Sequence, residues 1–128
     1  LHGSSAASDV YKRQVYKICQ DADLSFVTCP SAWIDHPRRE DLVPSHNALT
    51  PVDELVERGL TVAIGSDNIC DVYKPFCDGD MINEMRLLID GCKIYDDDVL
   101  LEILVYNGFE VIGLADRMED FGVYKISN

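Results

Sequence analysis

Two short apolar runs set the pattern of this chain. Leu24-Ser25-Phe26-Val27-Thr28-Cys29 stops at Pro30, and Val62-Ala63-Ile64-Gly65 stops at Ser66-Asp67-Asn68. Apolar runs of this length, rich in β-branched and aromatic residues and bounded by turn residues, predict buried strands. Between them Val52, Leu55 and Val56 recur at helical spacing. Thr50 stands where an N-cap belongs, Pro51 suits the first helical position, and Asp53 suits the capping partner. Gly59 is the expected stop. Strand, loop, helix, strand is a βαβ unit, so the two strands should be parallel neighbours joined by a right-handed crossover.

The remaining elements are helical. Val15, Ile18 and Cys19 predict a short helix from Val15 to Ala22. Asp80 to Asp90 should be a helix with Met81, Met85, Leu88 and Ile89 inward, ended by Gly91. Asp96-Asp97-Asp98 places negative charge where a helix N-terminus favours it. A helix from Val99 to Tyr106 and a shorter one from Gly108 to Leu114 follow. Residues 1–8 are small and polar and residues 5–14 resemble a translated sequencing adaptor, so residues 1–14 read as an adaptor-derived leader that is not native, and His2 receives no role. Residues 15–114 form the body of the domain, and residues 115–128 a truncated tail.

Chemistry in parallel sheets collects beyond the carboxyl ends of the strands. Asp67 sits at such an end and is the first candidate. The plainer reading is that it ends a strand and bonds its own loop. The long segment from Ser31 to Thr50 leaves the other strand on the same rim, and loops of this length often bind ligands or act as lids. Its Trp33 and His46 could line a pocket mouth, although no motif fixes them there and the favoured reading of His46 is that it caps or bonds its own loop. Lys74 and Asp78 are expected to be solvated.

Charge narrows the partners. The net charge of −12 disfavours nucleic acid, and no basic stripe offsets it. No apolar stretch approaches membrane-spanning length. The five cysteines include no C-x-x-C pair. Reduced thiols in a cytoplasmic protein are therefore expected.

Four stretches in order carry a resemblance: Ser25-Phe26-Val27-Thr28-Cys29-Pro30, Thr50-Pro51-Val52, Gly65-Ser66-Asp67-Asn68-Ile69, and Pro75-Phe76-Cys77-Asp78-Gly79-Asp80-Met81. Together they resemble the C-terminal part of the amidohydrolase superfamily, in the cytosine deaminase and N-isopropylammelide amidohydrolase branch. The resemblance implies an α/β fold, a C-terminal fragment of a metal-dependent (β/α)8 TIM barrel. Leu24–Cys29 would be its seventh strand and Val62–Gly65 its eighth. It implies one divalent metal ion, Fe2+ or Zn2+, with Asp67 at the metal and shuttling a proton from the attacking water to the leaving amine. Asn68 and Tyr73 would face a small nitrogen heterocycle as substrate. The family's cytosine deaminases carry a second acid at the position of Asn68 and a tryptophan at that of Tyr73, so cytosine itself is not implied.

The family's His-x-His, its further histidines and its catalytic glutamate have no counterpart here. The chain is therefore expected to be a fragment, inactive and aggregation-prone by itself, with homo-oligomerisation an expectation for the full-length protein. The competing readings are a small acidic α/β module that binds a ligand without catalysis, and a bare interaction domain.

Overall fold

The computed structural model describes residues 3–34, 49–72 and 74–125, with side chains from Val10 onward. Strands β1 (Phe26–Thr28) and β2 (Val62–Ile64) pair in parallel, Phe26 opposite Val62 and Thr28 opposite Ile64. The ladder runs past both strands: Phe26 N–H donates to Thr61 O and Gly65 N–H to Thr28 O, each at 2.8 Å. Residues of a strand alternate between faces. Val62 enters the core, with Phe26 and Ile64 packed beside it, whereas Val27 on the other face is exposed. The sheet thus has one face in the core and one open face, on which Val27 is exposed while Ala63 is buried, among the described residues.

Helix α2 (Val52–Glu57) links the strands and buries Val52 and Leu55, as its spacing requires. Its start differs from expectation. Pro51 is the capping residue and no side chain caps the helix. The Thr50 hydroxyl instead accepts a hydrogen bond from the Trp33 indole N–H at 3.1 Å. That bond explains a second difference. Trp33 lies in a 3-10 turn (Pro30–Ile34) and is buried in the core, so it does not line a pocket mouth. His46 lies outside the described residues.

The first helix is longer than its apolar spacing suggests, with α1 running from Gly3 to Asp21. Its inward residues are Tyr16 and Cys19, while Val15 and Ile18 are exposed. Tyr16 wins the inward position because both its ring and its hydroxyl find partners. The Arg58 guanidinium sits 4.4 Å from the ring centroid, and the hydroxyl donates to Glu54 at 3.2 Å. Lys12 also pairs with Glu54, so contacts reach α2 from the helix on both sides of residue 14.

Helix α3 (Met81–Cys92) is capped by Asp80, whose carboxylate accepts from Ile82 N–H at 2.9 Å. It ends at Lys93 in the left-handed conformation, not at Gly91. Gly91 lies inside the helix because Trp33 leaves no room for a side chain. A Cβ there would stand 3.0 Å from the Trp33 ring and 3.4 Å from Leu49. Alanine normally gains about 1 kcal/mol over glycine in a helix, but overpacking a core costs about 1–3 kcal/mol. The indole is held by Thr50 and cannot yield freely, so the clash wins. Gly91→Ala should lose about 1 kcal/mol in urea denaturation. A gain in stability would show that Trp33 moves freely.

The two predicted C-terminal helices are one continuous stretch. Helix α4 (Asp97–Leu101), a π-helical turn (Glu102–Tyr106) and α5 (Asn107–Val111) follow without a break. Asp96 caps the stretch, accepting from Asp98 and Val99 N–H. Gly108 does not stop it, whereas Gly113, at φ +72°, lies where it ends. Odd-numbered residues of β2 bond to β1, so the carbonyl of Val62 points to the outer edge. Asn107 donates its amide to that carbonyl at 2.8 Å, which covers part of the open edge. The tail packs back through Phe121, whose ring centroid lies 5.5 Å from that of Phe109. Among the described residues no helix is long and apolar enough to cross a membrane.

Candidate functional site

The chain turns sharply after β2. Asp67 adopts φ +58°, a left-handed conformation that aspartate tolerates better than most residues. Just before it, Gly65 lies against the other strand. A Cβ on Gly65 would meet Val27 Cγ1 at 3.2 Å and Cys29 Sγ at 3.4 Å. Ala63 and Gly65 therefore share the open face with Val27 and Cys29. Asp67 comes close enough to Cys29 to act on it. The Cys29 thiol is pushed above its ordinary value, first by burial and then by the negative charge of Asp67. The carboxyl ends of both strands thus meet at one rim, as the βαβ reading requires.

Lys74 departs most from expectation. It is 6% exposed, not solvated. Its ammonium donates to Ser66 O at 2.5 Å and to Ser31 Oγ at 3.2 Å, and stands 3.8 Å from Asp67 Oδ2. Ser31 N–H in turn donates to Glu84 Oε2 at 2.8 Å, and Glu84 is 2% exposed. Asp67, Lys74, Ser31 and Glu84 therefore form a polar line from the end of β2, past the turn after β1, to α3. Glu84 is not among the inward residues expected from the sequence, although its spacing carries a signal. Positions 81, 84, 85 and 88 make one helical stripe, so a carboxylate there is turned inward. Lys74 had no such signal, because its burial depends on a long apolar stem reaching across the loop.

Asp67 itself keeps 48% of its side chain exposed. Asn68 donates its amide to Asp71 Oδ2, inside the same loop. Asp71 also accepts from Lys74 N–H at 2.8 Å. Tyr73 lies outside the described residues. A cavity of about 400 Å3 opens on the far side of Lys74, between Ser31, Ile34, Phe76, Glu84 and Leu87. Asp67 does not line it, and Asp78, exposed as expected, does.

Do these residues fit a metal? Among the described residues no three His, Cys, Asp or Glu side chains are grouped to hold one. A catalytic metal needs several protein ligands and an open position. Asp67 offers one carboxylate, and its nearby cation is the Lys74 ammonium. The described residues by themselves do not fit a metal ion.

The fold is not unique to this chain. It superposes on the crystal structure of 5-methylcytosine deaminase from Klebsiella pneumoniae liganded with 5-fluorocytosine, with a TM-score of 0.73 and 22% identity. The chain shares the fold of part of that deaminase. The match covers 84% of this chain and 27% of the deaminase. An uncharacterised protein of Haemophilus influenzae is 45% identical over 58 residues, covering 44% of this chain and 21% of that protein. The chain thus spans about a fifth to a quarter of the proteins it matches. No protein-family model matches it.

Proposed function

We propose that this chain is a segment of a metal-dependent amidohydrolase barrel that hydrolytically removes an amino group from a nitrogen heterocycle. The carrying observation is the place of Asp67. It stands at the joint carboxyl end of two parallel strands, at the rim of their open face, in a fold like that of part of a deaminase. On this reading β1 and β2 belong to the seventh and eighth barrel strands, and the open face of Val27 and Ala63 looks into the barrel.

Asp67 carries the proton in this reading. Its carboxylate takes a proton from the attacking water and passes it to the departing nitrogen, so that water adds at the ring carbon and ammonia leaves. Half-exposure lets the side chain reach both positions. Lys74, held by Ser66 and Ser31, keeps that carboxylate oriented at the rim. Asn68 and Tyr73 would contact the heterocycle. The divalent metal, Fe2+ or Zn2+, would draw its other ligands from beyond these residues and would supply water activated for attack at neutral pH. The chain alone is then expected to be inactive.

The test is ammonia release by the full-length protein that carries this segment, loaded with Fe2+ or Zn2+. Cytosine, 5-methylcytosine and related amino-heterocycles are the substrates. Turnover of any of them supports the reading. Binding without ammonia release would place the chain among acidic α/β ligand-binding modules instead.

A further inference from the structure

We infer that Cys70 and Cys77 form a reversible disulfide that locks the loop carrying Lys74. The two residues face one another across that loop. Cys70 N–H donates to the Cys77 carbonyl at 2.8 Å, and Cys70 Sγ lies 3.1 Å from the same oxygen. A single main-chain bond of 2.8 Å keeps the two Cα atoms within about 6.7 Å of one another. A disulfide spans about 4.4–6.8 Å. Closure asks Cys77 to turn about its Cα–Cβ bond, leaving Ser31 Oγ, from which its sulfur now lies 3.8 Å away.

The other thiols are placed differently. Cys92 is buried and donates to the Thr50 carbonyl at 3.3 Å. Cys19 lies on the inward side of α1, and burial pushes the half-buried Cys29 thiol up. Cys70 is exposed, and Cys77 is half-buried beside it. An external disulfide therefore meets Cys70 first.

With glutathione disulfide as oxidant, the Cys70 thiolate attacks one sulfur and releases one glutathione thiolate. The Cys77 thiolate then attacks the Cys70 sulfur of the mixed disulfide and releases the second. Two electrons pass to the oxidant, and the two thiol protons go to the released glutathiones. The ring so closed contains Lys74, the residue that ties the loop to Ser31 and Ser66. Oxidation thus holds covalently a loop that otherwise depends on polar contacts. The pairing requires no catalytic role for Asp67.

The whole 128-residue chain, reduced and then exposed to glutathione disulfide at neutral pH, tests this. Intact mass should fall by two hydrogens, peptide mapping should find Cys70 joined to Cys77, and dithiothreitol should reverse both. Cys70→Ser, at an exposed position, should abolish the loss, and Cys19→Ser should keep it. Glutathione remaining on Cys70, Cys77 joined to Cys29, or an unchanged mass would each overturn the inference.

Discussion

Asp67→Asn in the full-length protein should lower kcat by about 10²–10⁴-fold, the usual contribution of a positioned proton carrier, with little change in Tm. Asparagine matches aspartate in shape and also tolerates a left-handed backbone, so the turn at φ +58° survives. Alanine is the poorer probe, because a left-handed conformation costs an ordinary residue about 1–2 kcal/mol and confounds lost chemistry with lost structure. The carboxylate is half-exposed, so losing its charge beside Lys74 should cost little stability, about 0–1 kcal/mol as for surface pairs. What asparagine cannot do is accept the water's proton and return it. Steady-state kinetics and thermal denaturation on the same samples separate the two effects. Undiminished kcat would remove Asp67 from the mechanism and leave it as a loop residue.

The parts of this molecule that were legible beforehand are those where one local signal dominates. The Phe26 and Val62 runs are short, apolar and bounded by turn residues, and no helix competes with them. Asp96 and Asp80 cap their helices because a carboxylate before an amphipathic stretch has few better partners. The failures arose where a distant partner overrode the local signal. Thr50 looks like a cap but serves an indole seventeen residues before it. Gly91 looks like a stop but makes room for that same indole. Val15 and Ile18 look inward, yet Tyr16 is buried because Glu54 and Arg58 meet it. The position of Asp67 at the rim was legible from strand order alone. Its neighbours Lys74 and Ser31 were not, since nothing in a stretch with Tyr73 and Pro75 says where a lysine's end will lie.

Lys74 therefore supplies the sharpest stability test. Lys74→Met keeps the apolar stem and removes the ammonium, and should cost about 2–4 kcal/mol. Hydrogen bonds from a charged donor are worth about 1.5–3 kcal/mol each. Two such bonds, to Ser66 O and Ser31 Oγ, are lost. The ion pair with Asp67 adds little, because that carboxylate is 48% exposed and can rehydrate. Against the loss, methionine no longer has to strip water from a charge, which returns part of the difference. Ser66 O and Ser31 Oγ are half-buried and keep between them only the 3.4 Å bond that Ser31 Oγ donates to Ser66 O. Urea denaturation should show a lower midpoint at unchanged m. Thermal unfolding of the full-length protein that carries the change should shift down by on the order of 10 °C. Arginine should not rescue, since a planar guanidinium cannot occupy the place of a compact ammonium between those two oxygens. The contrast with Asp67→Asn is the decisive part. Both changes break the same ion pair, yet only the loss of Lys74 removes a charged donor from the half-buried Ser66 O and Ser31 Oγ. Stability unaffected by Lys74→Met would mean that the ammonium is solvated and that the line from Asp67 to Glu84 does not hold the rim together.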